Sequence, residues 1–429
     1  MASTRALKSV GCDTDVTSSP FSVGSYTTFQ HTFEGEVRTH QVGVPPTYDG
    51  QPTPLLLYFH GWGGSYADCG SLCDDALSAG FITLSMTGLE SDTGWPSWNG
   101  FGSTASPGPQ GPTCEAGAVD YCYADCGNCT DNCWWTTCKD SVAQVLEVWD
   151  AVEGALCVDA DRAWAAGCSN GGMFTFELAA DPRAAGRLAG TAPLVGLPHP
   201  GLWGGPAAAL HLAGFWGARD RTVPPLGNTG DPGVSVSSGG GGGWFYATAR
   251  AATDAWGRAL GCDPAGRAPT ADWGMGDYQR LANCTALPGC GVSVVECIFD
   301  GGHWCNALYQ RAPLISFMKA HSRVGDLNAG AAEALFLRTL LISLGVAAAA
   351  MVTLLLAYWI RRLRGQRMMK AEVLATRPPQ GRLAESVGVG PNPAATAPPV
   401  NCYKQLEMNS GENEENQQQL DDASFSPPC

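Results

Sequence analysis

Residues 163–180 read AWAAGCSNGGMFTFELAA. A short apolar run ends in Gly167-Cys168-Ser169-Asn170-Gly171, and a helix-forming segment follows at once. Strand, turn and helix in that succession form a G-x-S-x-G elbow: glycines allow a turn too tight for side chains, and Ser169 is held with its hydroxyl aimed outward. The helix predicted from Asn170 points free N–H groups at whatever sits on the serine oxygen, so an oxyanion formed there meets partial positive charge. In a chain with 55 glycines the competing reading is a plain Gly-rich turn. The flanking sequence decides between them.

Upstream, Leu55–Phe59 (LLLYF) is a continuous apolar run of the kind found in fully buried strands, and it leads straight into His60-Gly61-Trp62-Gly63-Gly64-Ser65. A helix over 68–79 and a strand over 81–86 follow, which makes a βαβ unit and implies a parallel sheet. Residues 37–44 (VRTHQVGV) form an earlier strand, and residues 1–36 are taken as a polar, turn-rich leader or early loop. Residues 88–138 are an irregular insertion rich in cysteine and tryptophan, of the sort that is functional and disulfide-stapled. Zinc thiolate ligation by Cys122, Cys126, Cys129 and Cys133 is the alternative there. An oxidising context favours disulfides, so no metal is expected.

Downstream, residues 141–156 make an amphipathic helix, and residues 209–216 an apolar strand ending at Gly217-Ala218-Arg219-Asp220. The glycine run 239–243 precedes a helix over 246–260. Residues 293–299 (SVVECIF) are a last strand before Asp300-Gly301-Gly302-His303, and 310–320 a closing helix.

Serine needs a base to take its proton, and the base works best when a third group fixes its tautomer. Ser169, Asp220 and His303 occur in the order nucleophile, acid, base, each just after a predicted strand. Loops after parallel strands share one sheet edge, where these side chains converge. The backbone N–H groups of Trp62 and Asn170 are assigned to the oxyanion hole, with His60 as a structural histidine of its loop. The expected fold is α/β: an α/β-hydrolase, doubly wound on a mostly parallel sheet.

The blocks HGWGGS, WPSWNG, GCSNGGM, ARDRTVP and GGHW resemble the HGxGGS, GWN, GxSNGGM, AD.TVP and GGHxWP blocks of the polyhydroxybutyrate depolymerase and feruloyl esterase group of α/β-hydrolases, in order, over about residues 37–320. The resemblance implies an extracellular serine esterase with Ser169, Asp220 and His303 in the matching triad positions and no cofactor. Three features depart from that pattern: Asp220 stands between two arginines, Trp304-Cys305 replaces a tryptophan-proline ending, and the C-terminal part is added. Tannase-like feruloyl esterases bridge a cysteine beside the nucleophile to one beside the histidine, which implies a Cys168–Cys305 disulfide; pairing of Cys305 into the 262–297 set is the alternative. Trp95, Trp98, Trp134, Trp135 and Trp304 are expected to line the substrate cleft, or else to pack beside disulfides.

Of 18 cysteines, 16 precede residue 306, and the sequons at Asn128 and Asn283 fall in the same region. Both point to an oxidising compartment and to glycosylation. Residues 339–360 carry no charge over 22 positions, end in Tyr358-Trp359 and precede Arg361, Arg362, Arg364 and Arg367. This predicts a transmembrane helix with its C-terminal end cytoplasmic, and so a type I membrane protein, with a buried core helix as the alternative. Residues 326–338 link it to a hydrolase domain over 37–325. Residues 361–429 are expected to form a disordered tail in which Tyr403-Lys404-Gln405-Leu406 is a candidate for a sorting adaptor. That tail balances 8 basic against 8 acidic residues, so the net charge of −15 lies on residues 1–360. A body this acidic excludes nucleic acid as a partner. Met1–Val10 has no apolar stretch, so no signal peptide is visible, and a truncated start is expected. The expected activity is ester hydrolysis of the polyhydroxyalkanoate, feruloyl or acetyl-polysaccharide type. The competing reading is a catalytically silent ectodomain used for adhesion or as a receptor.

Overall fold

Leu55, Leu57 and Phe59 face one apolar cluster, and Leu56 and Tyr58 face another. Ala163 and Ala165 alternate with Trp164 and Ala166 in the same way, as do Leu212 and Trp216 with Ala213 and Phe215. A strand that must be apolar at every position is buried on both faces, so these segments form the middle of a sheet covered by helices on either side.

The computed structural model describes residues 8–13, 16–91, 94–119, 121–239, 242–270, 282–305 and 308–324. The strands are β1 Tyr26–Phe33, β2 Glu36–Gly43, β3 Thr53–Phe59, β4 Ile82–Met86, β5 Val158–Cys168, β6 Gly190–Leu194, β7 His211–Gly217, β8 Val234–Val236, β9 Phe245–Ala247, β10 Ala268–Pro269, β11 Ala282–Leu287 and β12 Val294–Phe299. The helices are α1 Gly70–Ser78, α2 Ser141–Ala155, α3 Asn170–Ala180, α4 Pro182–Ala185, α5 Ala249–Ala259 and α6 Leu308–Ala320. Ten strands make one sheet in the order β1-β2-β4-β3-β5-β6-β7-β12-β11-β10, and β8 pairs with β9 separately. The six strands from β4 to β12 run parallel, while β1, β2, β11 and β10 add antiparallel pairings at the edges. This is an α/β-hydrolase-like fold. Apolar side chains of α2, α3 and α5 fill the cluster on one face, and those of α1 and α6 the cluster on the other.

The leader assigned to residues 1–36 is corrected. Tyr26–Phe33 is a full strand, paired with β2 from Tyr26↔Gly43 to Phe33↔Glu36 through a turn whose Glu34 and Gly35 both have positive φ, 46° and 84°. Two such residues give the hairpin a twist that matches its strands. The segment reads as a loop because YTTFQHTF is an edge strand, with Phe33 buried, Phe29 packed on the core and the residues between them partly or fully exposed. Further upstream, a Cys12–Cys157 disulfide and a hydrogen bond from the Ser9 hydroxyl to the Leu156 carbonyl (2.9 Å) fasten the chain start to the end of α2.

The insertion is stapled by Cys114–Cys133, Cys122–Cys129 and Cys126–Cys138, so the four cysteines weighed for zinc belong to three different disulfides. Among the described residues no helix is long and apolar enough to cross a membrane. The predicted span 339–360, the linker, the arginine cluster and the tail with Tyr403–Leu406 lie outside the described residues.

Candidate active site

Ser169 separates β5 from α3, with φ 53° and ψ −115°. This is a left-handed conformation that a non-glycine residue holds only when its surroundings impose it. The surroundings here are backbone. A Cβ on Gly167 would lie 2.3 Å from the Gly171 carbonyl oxygen, and one on Gly171 only 2.1 Å from that of Phe59. A Cβ on Gly196, in the loop after β6, would lie 2.2 Å from the Ser169 carbonyl oxygen. The Ser169 N–H donates to the Leu194 carbonyl at 2.8 Å. Leu194 and Gly196 thus hold both peptide groups of Ser169. Sequence reasoning missed them, because only the parallel pairing of β5 with β6 brings them to the elbow.

Asp220 and His303 follow β7 and β12, neighbouring parallel strands whose last matched pair is Gly217↔Phe299. The two loops stay in backbone contact: the Ala218 N–H donates to Phe299 and the Arg219 N–H to Gly301, each at 2.8 Å. His303 Nδ1 lies 2.6 Å from Asp220 Oδ2, while Asp220 Oδ1 accepts from the N–H groups of Thr222 (2.8 Å) and Val223 (2.9 Å). The Asp220 side chain is fully buried, and that of His303 is 25% exposed. A carboxylate only accepts hydrogen bonds, so Nδ1 carries the proton and Nε2 is left as the acceptor. The two arginines beside Asp220 turn away from it: Arg219 pairs with Asp300 (3.1 Å), and Arg221 donates to the Ser238 carbonyl (3.2 Å).

Among the described residues Ser169 and His303 share no hydrogen bond. Their loops are joined covalently instead. Cys168 and Cys305 form a disulfide with Cα atoms 5.4 Å apart.

The loop after β3 lies against the elbow, since a Cβ on Gly61 would be 3.5 Å from Ser169 Cβ. His60 is fully buried, with Nδ1 2.5 Å from the Gly61 carbonyl and Nε2 accepting from the Gly88 N–H at 2.9 Å. Burial holds its pKa at about 4, so both ring nitrogens serve the loop in the neutral form. The main-chain N–H groups of Trp62 and Asn170 have no acceptor among the described residues.

The five tryptophans expected in the cleft do not stay together. Trp98 is completely buried against Phe59 and Phe174 and cannot line a cleft. Its apolar ring is needed over the elbow helix, and sequence does not separate that use from a binding surface. Trp134 donates to the Ser106 carbonyl within the insertion (3.2 Å), and Trp135 donates to His199 Nε2 outside it (3.0 Å). Trp95 stacks on Trp62 with ring centroids 4.9 Å apart, and Trp304, beside His303, is 38% exposed. Asn128 and Asn283 are both exposed. Among the described residues no group of three His, Cys, Asp or Glu could hold a metal ion.

No family model and no curated protein matches the chain. It is similar in structure to an acetyl xylan esterase from Aspergillus awamori (13% identity, 69% of this chain and 100% of that chain, TM-score 0.40) and to native pOPH (14% identity, 70% and 87%, TM-score 0.37). It is also similar to FphF, a fluorophosphonate-binding serine hydrolase of Staphylococcus aureus (16% identity, TM-score 0.26); the match covers 41% of this chain and 58% of the length of FphF.

Proposed function

We propose that the protein is a serine esterase that hydrolyses carboxylic esters through an acyl-serine intermediate. The observation that carries this reading is the bond between His303 Nδ1 and a buried, otherwise satisfied Asp220, on a loop tied to the strained Ser169 elbow by Cys168–Cys305. Ser169 Oγ attacks the ester carbonyl carbon while His303 Nε2 takes its proton. Asp220 keeps the ring oriented and stabilises the imidazolium, and the Trp62 and Asn170 amides receive the oxyanion. The proton passes from His303 to the departing alcohol. Water, deprotonated by the same nitrogen, then releases the acid. Nothing in this sequence of steps calls for a metal or cofactor.

The disulfides and sequons support an oxidising compartment, and residues 339–360 support a membrane anchor with the catalytic body outside or in a lumen. The missing Ser169–His303 hydrogen bond favours the silent adhesion reading, although such bonds commonly close only when substrate binds. Turnover of p-nitrophenyl esters from acetyl to octanoyl, with feruloyl and hydroxybutyrate esters beside them, separates the two. Hydrolysis abolished by Ser169→Ala and by His303→Ala is expected. A folded chain silent on every ester would favour adhesion.

A further inference from the structure

Both backbone amides assigned to the oxyanion hole belong to residues whose side chains are held by the same four-residue stretch of the insertion, Trp95–Trp98. The Trp62 indole stacks on Trp95 with an interplanar angle of 6°, and the Gly63 N–H donates to the Pro96 carbonyl at 2.8 Å. Trp98 donates its indole N–H to the His60 carbonyl (3.1 Å) and its backbone N–H to Asn170 Oδ1 (2.8 Å), and Asn170 Nδ2 donates back to the Trp98 carbonyl (3.0 Å). One hydroxyl closes the arrangement. Tyr123 Oη accepts from Trp62 Nε1 at 2.9 Å and donates to the Trp95 carbonyl at 2.7 Å. Tyr123 is 1% exposed and lies between the Cys122–Cys129 and Cys126–Cys138 crosslinks.

Building on the esterase reading, we infer that the insertion is the brace of the oxyanion hole and that Tyr123 is a positioning residue for the Trp62 amide. An oxyanion donor works only if it is aimed before the charge develops, because reorienting it during the reaction costs what the hydrogen bond would contribute. Trp62 is in a glycine-flanked loop, with Gly63 at φ +75°, and such a backbone does not fix its own direction. The indole, anchored at its face by Trp95 and at its N–H by Tyr123, supplies that direction.

Tyr123→Phe keeps the ring and deletes the bridging oxygen. In the full chain, with active sites counted by fluorophosphonate labelling, kcat per labelled site is expected to fall about ten-fold, less than the 10²–10³ lost with a whole donor, while KM stays within about two-fold. Affinity for a trifluoromethyl ketone, which becomes a tetrahedral oxyanion on the serine, is expected to fall by a matching factor. A merely structural role would reduce the labelled fraction or the unfolding temperature and leave kcat per site and ketone affinity unchanged; that result overturns the inference. Trp62→Phe, which removes the indole N–H from the other side, is expected to give the same pattern and serves if Tyr123→Phe does not fold. Folded wild type that cannot be labelled would sink the esterase reading and the brace together, whereas labelled wild type with unaffected variants would sink the brace alone.

Discussion

The Asp220 carboxylate is shared between one side chain and two backbone groups: Oδ2 faces His303 Nδ1 at 2.6 Å, and Oδ1 takes the Thr222 and Val223 amides. This division fixes what an isosteric change would do. In Asp220→Asn the amide oxygen must stay on the two backbone N–H groups, so the NH2 turns to His303 and donates to Nδ1. The ring proton then moves to Nε2, and the base facing the serine is lost. Ester turnover is expected to drop by about 10⁴-fold with the fold intact by circular dichroism, the size seen when a triad imidazole is held in the wrong tautomer. A loss under ten-fold would mean that His303 does not depend on Asp220.

Gly196 tests the elbow. A methyl group there meets the Ser169 carbonyl oxygen at 2.2 Å and the Met173 nitrogen at 2.5 Å, both backbone atoms that cannot swing aside. Gly196→Ala is expected to lower kcat by about 10²-fold, as small misplacements of reacting groups do, and to lower the unfolding temperature. Unchanged kinetics would show that the elbow has slack.

Removing the crosslink between the Ser169 elbow and the His303 loop, by Cys168→Ser with Cys305→Ser, is expected to cost about 2–4 kcal/mol of stability. It is also expected to lower kcat more than KM, since the disulfide is the covalent tie between Ser169 and the His303 loop. Urea unfolding and ester kinetics measure the two effects. A variant as active and stable as wild type would make the crosslink incidental.

Acid should weaken the fold through its buried histidines. Burial holds His60 and His199 at about 4, well below the unfolded value near 6.5. Between those limits the unfolded chain binds more protons, so stability is full above about pH 6.5 and falls as pH drops towards 4, by up to about 3 kcal/mol per histidine. Unfolding free energies at pH 7.5, 5.5 and 4.5 should decline in that order. A flat profile would contradict neutral buried rings.

Where each residue's own chemistry declares its place, the fold was legible in the sequence. Leu55–Phe59 reads as a buried strand because both faces are apolar, Phe81–Met86 and Ser293–Phe299 read as further strands despite Thr83, Ser85 and Glu296, and the turns after the predicted strands supply Ser169, Asp220 and His303. The strand Gly190–Leu194 did not read as one. GTAPL has a glycine, a proline and small residues, and only its register against Trp164–Cys168 makes it a central strand. Ala282–Leu287 was hidden for a similar reason, being held by direct pairing and a Cys284–Cys297 disulfide to β12. The helix predicted from residue 246 begins at Ala249, because Tyr246 and Ala247 pair in β9 and Thr248 caps the helix. In the site, Trp98 looked like a binding tryptophan and is core, while Tyr123, with no motif around it, holds Trp62. A hydrogen bond between residues 61 positions apart leaves no local pattern to read.

In the esterase reading Ser169 is an activated nucleophile. Covalent labelling of the folded, disulfide-complete chain with a fluorophosphonate, followed by mass mapping of the modified peptide, puts that to the molecule itself. One equivalent on Ser169, absent in Ser169→Ala and strongly slowed in His303→Ala, is the predicted result. A folded wild type that takes up no label, or takes it on another residue, would contradict it.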